Sequence, residues 1–142
     1  MATAVLLETL YSYTIQKNQL TLENTMLQSR KSLVAQEQGD VNLLFNAQKG
    51  EIRDNFKELY ENDPALQAKY SDYTEIPEFE EEMDKIQAEL DKKLDELTNW
   101  EVQIDAQITK NSVLLEEISA YEQSFKGMYT SNIQEEYSFK LS

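Results

Sequence analysis

Apolar residues recur every seven positions from the start of the chain: Leu6, Tyr13, Leu20, Leu27, Val34 and Val41. Leu10, Met26 and Leu33 stand on adjoining positions, and Phe45, Ile52, Phe56 and Leu59 carry the stripe onward. Seven residues make close to two helical turns, so the pattern predicts one long helix with an apolar face, an arm over about residues 2–61. Gly39 and Asp40 fall inside it. Because Val34 and Val41 keep phase across them, a kink or short break is expected there rather than an end. Gly50 weakens the helix without stopping it.

The stretch "ENDPALQAKYSDYTEIPEFEEEMD" then punctuates the chain. Asp63 is a natural N-cap with Pro64 at the first helical position, and Pro77 falls in the first turn of the next long helix. This predicts a connector over residues 62–77 with one short helix at about 64–72. The acidic run "EFEEEMD" begins that long helix, where the macrodipole favours negative charge.

The second arm, about residues 78–126, has the strongest period in the chain. Met83, Leu90, Leu97, Ile104, Ile118 and Phe125 share one heptad position, with Asn111 as the polar exception. The neighbouring position holds Leu94, Ile108, Leu115 and Tyr129 but also Gln87, Glu101 and Glu122, while Ile86, Trp100, Leu114, Tyr121 and Met128 fall to the side. A stripe that drifts and widens in this way suits a helix packed on more than one neighbour. Gly127 is expected to end the arm after Lys126, leaving a short C-terminal segment, residues 127–142, in which Asn132 caps a last turn.

Each arm alone would leave a long apolar stripe in water. The predicted fold is therefore all-α: a long antiparallel helical hairpin, coiled-coil-like, with a short connector helix, forming a single helical domain over residues 1–142. Even closure would set the stripe around Trp100 against residues 28–41. The candidate interaction residues are Leu20, Leu27 and Val34 on the first arm and Leu90, Leu94, Leu97, Trp100, Ile104, Ile108, Asn111, Leu115 and Ile118 on the second. They serve either as intramolecular core or as a stripe offered to a partner.

Three residue types sharpen this picture. Tryptophan is more often a core anchor than a partner contact, although it is also enriched at interface hot spots. Asn111 either fixes register, as a buried asparagine at a seam does, or lies on a drifted, half-exposed face. Aromatic residues gather at the two ends of the hairpin, Tyr60, Tyr70, Tyr73 and Phe79 at the turn and Tyr11, Tyr13, Phe125, Tyr129, Tyr137 and Phe139 at the open end. They are expected to plug the ends, with an intersubunit contact as the alternative.

Thirteen basic against twenty-seven acidic residues give a formal charge of -14, which disfavours nucleic acid and anionic membrane surfaces as partners. The chain has no cysteine, hence no disulfide, thiolate zinc site or cysteine nucleophile, and no histidine, hence no histidine-based acid–base chemistry, serine triad or Glu-x-x-His metal pair. Glu78 with Glu82 and Asp91 with Asp95 stand at helix spacing, but hard cations need six or more converging oxygens, and solvated surface acids account for both pairs. Arg30–Lys31 and Lys92–Lys93 are likewise surface charges, and three isolated glycines make no phosphate cradle. The expectation is no enzyme, no metal and no cofactor.

The start "MATAVLLETLYSYTIQK" has no basic residue before its apolar run, and Glu8 interrupts that run, so it makes a poor signal peptide and is too short to span a bilayer. No membrane insertion is expected, and the location is either cytoplasmic or reached by a leaderless route.

In layout, with "LLETLYSYTIQKNQLTLENTMLQSR" at one end paired with "LLEEISAYEQSFKGMYTSNIQEEYSFKLS" at the other, the chain resembles the helical-hairpin subunits and chaperones of flagellar and type III export systems. It departs from the filament subunits in lacking a clear surface domain. The resemblance implies a leaderless protein that polymerises through its terminal helices or shields an exported partner's helices. The function expected is a non-enzymatic structural or interaction protein that self-associates or docks a partner helix. The alternative is a small acidic export chaperone holding an amphipathic helix of a secreted client.

Overall fold

A computed structural model of the chain describes residues 3–141. It is a helical hairpin: α1 (Thr3–Asn62), α2 (Pro64–Lys69), a single 3-10 turn (Tyr73–Glu75) and α3 (Pro77–Leu141). Both prolines stand at the first residue of a helix, where the missing N–H costs nothing. No strand is present among the described residues.

The connector is held by local hydrogen bonds that satisfy helix ends. Asp63 Oδ1 accepts from the Ala65 amide at 3.0 Å and caps α2. Gln67 Nε2 donates to the carbonyls of Tyr60 and Glu61, both at 3.0 Å, which closes the end of α1 where carbonyls otherwise lack partners. The Tyr60 hydroxyl donates to the Tyr70 carbonyl at 3.0 Å, and Asp72 Oδ1 accepts from the Tyr73 amide at 2.7 Å. Phe79 meets Phe56 and Tyr73 edge-on, with centroids 5.5 and 5.3 Å apart, beside buried Ile76. The aromatic plug expected at the turn is therefore built from Phe56, Tyr73 and Phe79.

Three features differ from the sequence reading, the first being that the connector helix, expected at about 64–72, ends at Lys69 and is followed by the separate 3-10 turn. α1 runs through Gly39 and Asp40 without interruption, so no break occurs there. α3 continues past Gly127 to Leu141 instead of ending at Lys126, and Asn132, far from capping a new turn, donates from Nδ2 to Thr3 Oγ1 at 2.9 Å. Thr3 in turn donates to Glu136 Oε1 at 2.8 Å, and Leu6 beside it is almost wholly buried. Packing against the first turns of α1 supplies the support that local propensity lacks, which is how most protein helices are stabilised. The threonines spread through the helices are accommodated by back-bonding: Thr9, Thr14, Thr21, Thr25 and Thr130 each donate to the carbonyl four residues earlier.

None of the three glycines adopts a positive φ, and a Cβ at Gly39, Gly50 or Gly127 would meet nothing within 4 Å. Each therefore only weakens its helix. Gly39→Ala and Gly127→Ala are each expected to raise stability by about 0.5–1 kcal/mol, read as a higher urea midpoint at unchanged slope. A loss of stability at either position would show that the helix bends there in solution.

Contacts divide the chain into two units of equal length. A terminal unit gathers Met1–Lys31 with Gln103–Ser142, and a connector unit holds Ser32–Val102. Within each, α1 packs antiparallel against α3. In the terminal unit Lys17 meets Glu122 at 3.2 Å and Lys31 meets Asp105 at 2.8 Å. In the connector unit Lys49 donates to Gln87, and Phe56 meets Phe79.

Candidate helix-association surface

The two units bury their seams differently. In the connector unit the buried side chains of α1 are Val34, Phe45 and Phe56, with Val41 and Ile52 half-buried between them. The steps alternate between seven and four, and half-buried Gln38, Gln48 and Lys49 are the polar residues between them. Leu90, Leu97 and Ile76 complete this core.

The terminal unit buries far less. One seam position of α1 carries Leu6 and Leu27, which are buried, and Tyr13 and Leu20, which are half-buried. The other carries Thr3, Leu10, Lys17, Asn24 and Lys31, all half-buried and four of the five polar. These polar groups reach across to α3: Thr3 to Glu136, Lys17 to Glu122, Asn24 Nδ2 to Ser112 Oγ at 3.4 Å, and Lys31 to Asp105. Partly exposed ion pairs of this kind contribute only about 0–1 kcal/mol each. They set the pairing of the helices more than they stabilise it.

At the middle of this unit lies Asn111, 2 % exposed. Its Oδ1 accepts from Gln107 Nε2 at 3.0 Å, while its Nδ2 is buried without a hydrogen-bond partner. Asn24, bonded to the next residue Ser112, likewise has a buried Oδ1 without a partner. Of the two readings of Asn111, the buried one holds. Polar groups on both helices thus occupy the terminal unit's interior where leucines would otherwise stand.

The other sequence-singled residues divide by burial. Leu27, Val34, Leu90 and Leu97 are buried; Leu20, Leu94, Ile104, Ile108, Leu115 and Ile118 are half-buried. Trp100 is 60 % exposed, so it is not the core anchor expected of it. Glu101, four residues beyond Leu97, takes the half-buried seam position instead. At the open end Tyr13 packs on Tyr121 with centroids 6.3 Å apart and on Phe125 at 5.6 Å, whereas Tyr11 and Tyr137 are largely exposed.

A second apolar stripe was hidden in the first. Ile15, Leu22 and Met26 in the terminal unit, and Leu33, Leu43 and Leu44 in the connector unit, are all exposed on α1. Met26 and Leu33 sit one residue before buried Leu27 and Val34, about 100° around the helix from the seam, so they widen no core. The signal was present in the spacing Ile15, Leu22, Met26, Leu33, which is heptad-like in its own right.

Surface is unevenly shared between the units. Among the described residues, twelve large exposed apolar side chains belong to the terminal unit and six to the connector unit, against two and six buried apolar residues. Charge is shared the other way. The terminal unit has six basic and eight acidic residues, a net of -2, and the connector unit seven and nineteen, a net of -12. Among the described residues no group of three or more Asp or Glu converges as a metal would require, and no helix is long and apolar enough to cross a membrane. The chain matches no protein-family model, no curated protein and no solved structure.

Proposed function

We propose that this chain is a non-enzymatic structural or interaction protein that acts by helix-to-helix association, with self-association as its leading form. The observation that carries this is the balance of apolar residues: eight are buried and eighteen large ones are exposed among those described. Apolar surface in such excess marks an interaction site. The resemblance in layout to subunits and chaperones of export systems points to an exported, self-assembling component as one form of this function, and a client-holding chaperone as the other.

Light scattering coupled to size exclusion, over a hundredfold range of concentration, tests the reading. The expected result is a mass that rises with concentration. A concentration-independent monomer that binds an added amphipathic helix would select the chaperone form. A monomer that binds no helix would overturn the proposal.

A further inference from the structure

We infer that the terminal unit is the surface through which two copies of this chain join, along the α3 flank formed by Leu114, Tyr121 and Met128. This rests on the self-association proposed above and adds where it happens. The three residues are spaced by seven on one side of the α3 seam, Leu114 half-buried, Tyr121 57 % exposed with one side of its ring on Tyr13, and Met128 44 % exposed. They border the thinner of the two interiors, where a polar seam position and Asn111 replace apolar packing. An apolar flank beside an incomplete core is where an added helix buries most.

Charge selects a second copy as the occupant. Two chains of net -14 repel one another, and the repulsion is least where charge is balanced. The terminal unit, at -2, can meet its own copy at little electrostatic cost; the connector unit, at -12, cannot. The acidic connector unit then remains solvated in the assembly.

The test compares two double variants of the full chain by light scattering over the same concentration range. Tyr121→Glu with Met128→Glu is expected to raise the midpoint concentration for association at least tenfold. Leu44→Glu with Trp100→Glu, exposed residues of the connector unit, should move it less than threefold. Helicity at 222 nm is monitored for both. Should the first pair lose helicity, Met128→Lys alone carries the test, again with a rise expected.

Salt provides an independent readout, because added ions screen like-charge repulsion beyond a Debye length of about 10 Å at 0.1 M. Association through the terminal unit should change less than threefold between about 50 and 500 mM salt. Tenfold strengthening would place the contact in the connector unit. That result, or association indifferent to the first variant, overturns the inference and leaves self-association standing. A wild-type chain that is monomeric throughout overturns both.

Discussion

Replacing Leu90 and Leu97 together by alanine is expected to abolish cooperative unfolding of the connector unit or to lower its urea midpoint drastically. Both side chains are buried, at 5 % and 7 % exposed, on the face of α3 that meets the apolar seam of α1. Each truncation removes about 2–5 kcal/mol, from lost transfer energy and the cavity left behind. Seven residues of helix separate the two by about 10 Å, enough for the costs to add. Their sum, about 4–10 kcal/mol, is comparable with the whole stability of an ordinary domain, about 5–15 kcal/mol. Circular dichroism at 222 nm against urea measures it. Val102→Ala, at an exposed site on the same helix, should change stability by less than about 0.5 kcal/mol. Equal effects at Val102 and at the leucines would mean that the seam of α3 is not where the structure places it.

The second large effect is expected from Asn111→Asp. The amide is buried, and its Oδ1 is held by Gln107. A carboxylate there would lose its solvation, offset only in part by the Gln107 amide, so destabilisation at neutral pH should be about 3 kcal/mol or more. Burial raises the introduced carboxyl's pKa in the folded state above its unfolded value, about 3.9. Stability relative to wild type should therefore be best preserved below about pH 4, where the group is protonated in both states. It should then fall by about 1.4 kcal/mol per unit as pH rises towards the folded pKa, and level off above it. Asn111→Leu is expected to move the other way, because it removes a buried Nδ2 that has no partner. Paired urea titrations between pH 4 and 8 measure both variants. A pH-independent difference for Asn111→Asp would mean that position 111 is open to water.

Much of the architecture was legible because it depends on residues close in sequence. Two long heptad stripes, a Pro-marked connector and the caps Asp63 and Pro64 are local signals, and they were enough to give helices, turn and pairing. The buried members of the stripe, Leu27, Val34, Leu90 and Leu97, were legible for the same reason. The end of α3 was not. Gly127 reads locally as a stop, yet Asn132 and Glu136 bond to Thr3, more than 125 residues away in the chain, and no local rule registers such a partner.

The candidate surface was the least legible part. Periodicity assigns apolar residues to a face but does not say whether that face is covered, so Met26 and Leu33 counted towards the same stripe as Leu27 and Val34 although a turn of about 100° separates them. Trp100 went astray likewise, because a heptad register that drifts does not show which residue leaves the seam.

By itself, then, the sequence determined an all-helical hairpin, its connector, its acidity and the absence of histidine and cysteine chemistry. These depend on residue type and on spacing along one helix. Only the tertiary structure decided that α3 persists to Leu141, that Asn111 is buried, and that the chain divides into a well-cored acidic unit and a nearly neutral one with its apolar residues outside. Burial is a property of what lies opposite a side chain, and that is settled only when α1 and α3 are brought together.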